Sequence, residues 1–325
     1  MGKEGFMGQK DIALVRFFED QGRYADLING FVFQGKQVVS EEDVQELDSR
    51  VTGVFGRLRK RFMVQKYRDC VRRVVFGMDI AVVGIENQDK VHYGMPVRVM
   101  MEDVADYDKQ LRQIRRFHRR KRDLRGDEFL SGFAREDKIH PVLTICIYYG
   151  SKPYDGAKEL YEMMNYQSLP ENLKHMLNNY KIQVLEIRSL EDIDRFKTDL
   201  REVFGFIQRA GDKEAERAFT FENEEKFKLM DEDAFDVITA LTGSVELESV
   251  KDACREEGGK VNMCEAIKGM IEDGREEGRE QGQREKAYKA ANNMYIRGFS
   301  ALETASLLEE SLETVTAWYE EWARK

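Results

Sequence analysis

Two short Val-rich segments on either side of Gly77-Met78 constrain the fold of this chain more than any other feature. They span residues 67–76 (Y-R-D-C-V-R-R-V-V-F) and 80–86 (I-A-V-V-G-I-E), and both have the β-branched composition typical of strands. A Gly-X pair between two strands is the signature of a two-residue type II′ hairpin turn. With Gly77 and Met78 as the turn, the sequence predicts an antiparallel hairpin in which Asp69 lies directly opposite Glu86.

The predicted hairpin gathers three polar side chains on one face. Gln88 lies two residues beyond Glu86, so it points to the same side of the strand as Glu86 and Asp69. Two facing carboxylates repel each other unless a cation lies between them, and Mg²⁺ prefers oxygen ligands of this kind. The alternative is a pair of carboxylates on a sheet face that bind nothing. Asp79 is a rival for Asp69, but its odd spacing from Glu86 on the same predicted strand places it on the opposite face.

The rest of the first two thirds of the chain reads as an α/β arrangement. Apolar runs at 141–149 and 180–187 are typical of buried strands, and the helical stretch between them predicts a β-α-β unit. The periodicity of the other segments predicts helices over residues 9–33 (broken at Gln21-Gly22), 41–62 (with Ser40 as N-cap), 94–123, 157–178 and 190–209.

No strand is predicted after about residue 211. The sequence predicts helix over 246–273 with a break at Gly258-Gly259, then a polar helix with glycines every fourth residue (Gly274, Gly278 and Gly282). Two helices hinged at Gly298 are predicted over 286–325. The last two helices have helix-turn-helix spacing, but the second of them is rich in Glu, which repels phosphates. We therefore expect Trp318 and Trp322 to pack against a partner helix, and the tail to serve interaction or homo-oligomerisation rather than DNA reading.

Composition excludes several classes of function. The four cysteines and four histidines are scattered, which argues against a zinc site or a disulfide framework, and no phosphate-binding glycine loop is present. No apolar run is long enough to span a membrane, so we expect a cytoplasmic protein without a membrane partner. The net charge is −9, yet residues 57–73 and 112–125 are locally basic, which is compatible with a nucleic-acid partner.

Several of these segments together resemble a known family. The quoted pieces are Y-R-D-C-V-R-R (67–73), G-I-E-N-Q (84–88), V-H-Y-G-M-P-V-R (91–98), D-Y-D-K-Q (106–110) and the run from Glu128 through the strand that ends in Tyr-Tyr-Gly at 150. They resemble the recombination-promoting nuclease/transposase family of the PD-(D/E)XK nuclease superfamily. The resemblance implies a PD-(D/E)XK-like mixed sheet flanked by helices as a catalytic domain over 1–210, followed by an all-helical C-terminal region over 211–325.

The resemblance also implies a chemistry. It implies Mg²⁺-dependent (or Mn²⁺-dependent) DNA cleavage linked to recombination or transposition, with Asp69 and Glu86 as metal ligands. Gln88 occupies the position of the superfamily's lysine, which leaves open how the attacking water is activated. Asp26 is the candidate for the acidic residue of the first core helix, and a helix-surface Asp is the alternative. The rival function is a non-catalytic DNA-binding or assembly protein that retains the nuclease fold.

Six further residues are candidates for DNA contact. Arg98 and Tyr107 lie on the long helix after the hairpin, where a salt-bridged Arg and a core Tyr are the structural alternatives. The strongest basic cluster follows on the same helix and contributes Arg115, Arg116, Arg119 and Arg120. For these four, the alternative is a solvated helix end, where cations are favoured by the helix dipole.

Overall fold

The chain forms two compact units, residues 1–264 and 265–325. The computed structural model describes residues 9–46, 50–55, 62–67, 70–76, 79–165 and 168–323. No helix in these ranges is both long and apolar enough to cross a membrane.

Ten strands and fourteen α-helices make up the described ranges. The strands are β1 (Val44–Glu46), β2 (Arg50–Phe55), β3 (Phe62–Tyr67), β4 (Cys70–Phe76), β5 (Asp79–Gln88), β6 (Val142–Tyr148), β7 (Gln183–Glu186), β8 (Met230–Asp231), β9 (Arg255–Glu256) and β10 (Lys260–Val261). The helices are α1 (Gln9–Phe17), α2 (Gln21–Phe31), α3 (Met95–Lys121), α4 (Gly126–Ser131), α5 (Leu160–Met163), α6 (Glu171–Lys174), α7 (Leu200–Arg209), α8 (Lys213–Glu222), α9 (Glu224–Phe227), α10 (Glu232–Thr242), α11 (Val245–Val250), α12 (Met263–Ile296), α13 (Ala301–Leu308) and α14 (Leu312–Ala323).

A five-stranded mixed sheet forms the centre of the first unit. Its strand order is β1-β4-β5-β6-β7; β1, β4 and β5 pair antiparallel, whereas β5, β6 and β7 pair parallel. This arrangement confirms the predicted α/β class with a mixed sheet and flanking helices. β2 and β3 form a separate two-stranded ribbon that packs beside α3.

Helices cover both faces of the sheet. On one face, Met95 and Val99 of α3 pack with Cys146 of β6 and Ile182. On the other face, the turn between α1 and α2 reaches β4, where the Cys70 thiol lies 3.8 Å from the carbonyl oxygen of Phe18. The sheet is therefore a layer between helices, and a functional site is expected at the ends of its strands rather than on its faces.

One predicted helix is wrong. In the residues of this range that the structure describes, the chain makes a 3₁₀ turn, Glu41–Asp43, and then forms β1 and β2. The amide and hydroxyl of Ser40 do donate to the Asp43 carboxylate, as a helix cap would. Val44 then pairs with Val74 and is buried, so sheet pairing overrides the local helix signal.

The connection from β6 to β7 also differs from its prediction. Where the structure describes residues 157–178, the expected helix is replaced by α5 and α6, each a single turn, with Pro170 as the N-cap of the second. The expected helix over 190–209 is shortened to α7, which begins at Leu200. Pro170 interrupts the first segment, and hydrogen bonds from Lys197 and Thr198 to the Asp26 carboxylate hold the turn that precedes α7.

The division between the units lies further along the chain than the predicted boundary at 210. Helix α10 packs against α1 and α7, so residues 211–264 belong to the first unit. This stretch is mainly helical, as predicted, but it also contains β8, β10 and β9, which form a small three-stranded sheet.

The second unit is helical. A small core of Ala291, Ala305, Val315 and Trp318 joins the end of α12 to α13 and α14. The partner helix predicted for the two tryptophans belongs to the same chain, because the rings of Trp318 and Trp322 lie 5.4 and 4.9 Å from that of Tyr288 on α12.

Gly30 is required by close packing within the first unit. A Cβ at this position would clash with two carbons of the Phe196 ring. We expect Gly30→Ala to lower the free energy of unfolding by about 1–3 kcal/mol, the usual cost of overpacking a core. Urea denaturation measures this loss. Gly269→Ala is the control, because nothing lies within 4 Å of a Cβ there; equal losses for both variants would contradict the packing account.

Candidate functional site

The carboxyl end of β5 is where the sequence places the site. Phe76 pairs with Asp79 and Cys70 with Ile85, which confirms the predicted register of the hairpin. Asp69 directly precedes Cys70 but lies outside the described residues, as do residues 77 and 78 and the side chain of Glu86. The facing of Asp69 and Glu86 therefore stays a prediction, one step beyond the last observed pair.

The rival carboxylate, Asp79, lies at the wrong end of the strand. Asp79 begins β5, and Glu86 lies seven residues further along it. At roughly 3.3 Å per residue, their backbones are about 23 Å apart. Since Mg²⁺ binds its ligands at about 2 Å, these two residues cannot share one ion.

Parallel pairing defines the surroundings of Glu86 and Gln88. Glu86 pairs with Cys146, and Gln88 pairs with Tyr148. Paired residues in a sheet project to the same face, so all four positions share the face that α3 covers. Gln88 itself is half-buried, and its carbonyl accepts a 3.1 Å hydrogen bond from the amide of Tyr149.

Aromatic side chains close the edge of the sheet beside Gln88. The Tyr148 hydroxyl donates to the carbonyl of Lys152 at 2.8 Å, and its ring meets the ring of Tyr154 edge-on at 5.2 Å. Burial raises the pKa of Tyr154 to about 12 and also raises the pKa of Tyr148, so both phenols stay protonated at neutral pH. The glycine of the Tyr-Tyr-Gly motif is required sterically, because a Cβ on Gly150 would lie 2.8 Å from the carbonyl oxygen of Asp89.

Three buried carboxylates on α3 were not singled out by the sequence. Glu102, Asp103 and Asp106 are each at most 5% exposed. The Thr144 hydroxyl donates to Asp103 at 2.6 Å, and the Tyr180 hydroxyl also donates to it. The available signal was their helical spacing from Met95 and Val99, which places acidic residues within the apolar stripe of an amphipathic helix.

Arg98 and Tyr107 make contacts within the protein. The Arg98 guanidinium lies 3.4 Å from the Glu102 carboxylate, and the Tyr107 hydroxyl accepts a 3.1 Å hydrogen bond from the amide of Val142. These are the salt-bridged Arg and the packed Tyr of the structural alternative. Their role in DNA contact stays a prediction.

Asp26 is engaged by the segment before α7. It is 3% exposed, and its carboxylate accepts hydrogen bonds from the amides of Lys197 and Thr198 and from the Thr198 hydroxyl, at 2.7–3.0 Å. These bonds fix the turn that leads into α7. This structural role is explained by the geometry, whereas a catalytic role for Asp26 stays a prediction.

Asp26→Asn tests the structural role. An amide oxygen can replace only part of the buried carboxylate, and the new NH₂ group faces the donors of Lys197 and Thr198, which therefore lose an acceptor. We expect the free energy of unfolding to fall by about 1–3 kcal/mol, measured by urea denaturation. Thr198→Val, which removes one donor and leaves the carboxylate, should cost less; a larger loss for Thr198→Val would contradict this account.

A basic cleft of about 820 Å³ lies at the C-terminal end of α3. Here it is called the arginine cleft, and its cationic lining is Arg112, Arg115, Arg116, Arg119 and Arg122. Of the four arginines predicted from the basic cluster to contact DNA, three line the cleft, whereas Arg120 is exposed outside it. Within the described part of the chain, Arg116, Arg119 and Arg122 form no ion pair, so their guanidinium groups remain available to phosphates.

The arginine cleft is remote from the end of β5. Val99 packs against Cys146 near the carboxyl end of β6, and Tyr107 reaches Val142 at the start of that strand, so α3 runs antiparallel to the parallel strands. Continuing at 1.5 Å per residue, Arg116 and Arg119 lie about 25–30 Å beyond Val99. The structure thus separates the predicted residues into a sheet-edge site and a distant cationic site.

A histidine clasp fixes the loop around the arginine cleft. His118 is nearly buried; its Nδ1 lies 2.7 Å from the Asp123 carboxylate and its Nε2 lies 2.9 Å from that of Asp137. These bonds, above all the one to Asp123, raise the pKa of His118, and the same contact lowers the pKa of Asp123. The imidazolium therefore ties the end of α3 to both ends of the segment that contains α4.

The clasp predicts a pH dependence. Because the pKa of His118 is raised, its stabilisation is complete below the ordinary value of 6.5 and is lost as pH rises through the raised value. Because the pKa of Asp123 is lowered, its stabilisation is complete above 3.8 and is lost as pH falls through the lowered value. We expect the imidazole proton signal of His118, assigned by its absence in His118→Gln, to titrate above pH 6.5; a midpoint at or below 6.5 would contradict the clasp.

Within the described residues, no group of three or more His, Cys, Asp or Glu side chains is placed to hold a metal ion. This finding does not include Asp69 or the Glu86 side chain, which lie outside that description.

Comparisons of the chain with family models, curated proteins and solved structures return no match.

Proposed function

We propose that this protein is a Mg²⁺-dependent endonuclease that cleaves DNA, with Asp69 and Glu86 as the metal ligands. The observation that carries the proposal is the register of β4 and β5, in which Cys70 pairs with Ile85. If the same pairing continues by one step, Asp69 would lie opposite Glu86 near the carboxyl end of β5. In open α/β sheets, ligands bind outside the carboxyl ends of parallel strands, and β5, β6 and β7 end together there.

The donor set suits the ion. Two carboxylates and the amide of Gln88 offer oxygen ligands on one face, and Mg²⁺ keeps several waters beside such ligands. When bound, the ion lowers the pKa of a coordinated water and neutralises charge on the scissile phosphate. Gln88, a neutral amide, can orient a water or a phosphate oxygen through hydrogen bonds, but it cannot take up a proton.

The arginine cleft supports DNA as the substrate. Its guanidinium groups match phosphate oxygens in a fork geometry, whereas the net charge of the chain is −9. At about 3.4 Å per base pair, the 25–30 Å between the two sites corresponds to roughly eight base pairs. A duplex that reaches the sheet-edge site can therefore be held at the same time by the cleft.

A second candidate function is DNA binding without cleavage. The arginine cleft favours it, because phosphate contacts there need neither a metal nor the end of β5. The two functions predict the same binding and differ only in whether DNA is cut.

Plasmid cleavage tests the proposal. With Mg²⁺ present, we expect the wild-type protein to nick or linearise supercoiled plasmid, and Asp69→Ala and Glu86→Ala each to reduce the rate by at least about 100-fold, because either change removes a metal ligand. Gel electrophoresis of timed samples measures the rate, and EDTA should abolish it.

Asp79→Asn is the matched control. It changes an aspartate of the same strand that lies about 23 Å from Glu86, so cleavage should continue at the wild-type rate. Cleavage that survives both ligand substitutions would contradict the site assignment. DNA binding by the wild-type protein without any cleavage would favour the second candidate.

A further inference from the structure

The short helix α4 exposes two adjacent large apolar side chains beside the arginine cleft. Phe129 is 71% exposed and Leu130 is 82% exposed, and both line the cleft. Water is an unfavourable surrounding for both groups. Their position next to five arginines therefore indicates a ligand that is anionic on its outside and apolar within.

The tip that carries these side chains is held firmly. Gly132 adopts a left-handed conformation (φ 68°), and its amide donates to the carbonyl of Glu128 at 2.7 Å. The Arg115 guanidinium donates to the carbonyl of Ser131, and the Arg135 amide donates to the Glu128 carboxylate. The His118 clasp secures the flanking chain on both sides. A fixed tip presents Phe129 and Leu130 to a ligand in one geometry, which a mobile loop does not do.

The charges around the tip leave the cleft cationic. Of the nearby carboxylates, Asp123 and Asp137 bond to His118 and Glu128 accepts the Arg135 amide. Asp127, in the first turn of α4, and Glu136 are exposed acidic neighbours. They are outnumbered by the five arginines of the cleft.

We infer that α4 is a wedge that inserts Phe129 and Leu130 between neighbouring base pairs of DNA while the arginine cleft holds the flanking phosphates. Apolar side chains of this kind unstack a base step and kink the duplex, and the bent DNA then makes more contacts with the protein. The inference rests on the proposed function only in taking DNA as the ligand. It requires neither a metal nor cleavage.

The geometry favours DNA over an anionic membrane. The cationic groups line a concave cleft that fits a phosphate backbone, whereas a membrane presents a flat surface. Two apolar side chains on one and a half turns of helix bury little area in a bilayer, and single weak anchors bind membranes only marginally.

The test uses short DNA duplexes with 2-aminopurine at successive positions, in EDTA so that cleavage cannot occur. Unstacking raises the fluorescence of this base. We expect the full-length wild-type protein to raise the fluorescence at one or two positions. We expect the double variant Phe129→Ala/Leu130→Ala to abolish this rise and to bind about 5- to 150-fold more weakly, the range for one lost base–aromatic contact.

Two control variants separate the wedge from general effects. Leu229, in the turn after α9, is another exposed apolar side chain (64% exposed). Leu229→Ala should leave the fluorescence rise and the affinity for DNA unchanged. Phe129→Trp keeps a large ring and should preserve the fluorescence rise. Arg116→Ala/Arg119→Ala should weaken binding and lower the slope of affinity against salt by about 1 for each lost phosphate contact.

The outcomes distinguish this inference from the proposed function. If DNA binds tightly without a fluorescence rise, and the double variant does not change the affinity, the wedge would be overturned. Cleavage would still be tested separately by the plasmid assay. A rise that depends on Phe129 and Leu130, in a protein that never cuts plasmid, would support the wedge and contradict the endonuclease. Absence of DNA binding, or Phe129-dependent binding to phosphatidylserine vesicles instead, would overturn the wedge.

Discussion

The parallel pairing of β5 with β6 is the constraint on which the rest of the first unit depends. A parallel pair cannot be joined by a tight turn, so the chain must return along the sheet before β6 begins. Helix α3 makes that return over 27 residues. It therefore covers the face that carries Glu86 and Gln88, and its length carries the arginines far beyond the opposite edge of the sheet.

The same helix divides two kinds of electrostatic environment. Its first half buries Glu102, Asp103 and Asp106 against the sheet, where hydroxyl donors such as Thr144 meet them. Its second half is exposed and cationic, and ends where the helix dipole favours positive charge. An acidic protein can thus present a local phosphate-binding surface, because the exposed arginines lie on a different part of the helix from the buried carboxylates.

Prediction from the sequence succeeded where local and long-range preferences agree. The Val-rich runs of β4 and β5 fixed their register through a two-residue connection, and the apolar run of β6 required a buried position. The helix predicted over 41–62 was wrong, because the pairing of Val44 with Val74 is a long-range contact that no local pattern encodes. The structural role of Asp26 could not be predicted for a similar reason, because its hydrogen-bond partners, Lys197 and Thr198, lie about 170 residues away along the chain.

The sequence by itself determined the α/β class, the hairpin register and the presence of a basic run, because these follow from side-chain period and charge over short spans. Only the tertiary structure decided which groups are neighbours. It set Arg116 and Arg119 apart from the carboxyl end of β5 and brought Phe129 and Leu130 to the arginine cleft. Such distances depend on the direction in which α3 crosses the sheet, and that direction is fixed by packing rather than by local sequence.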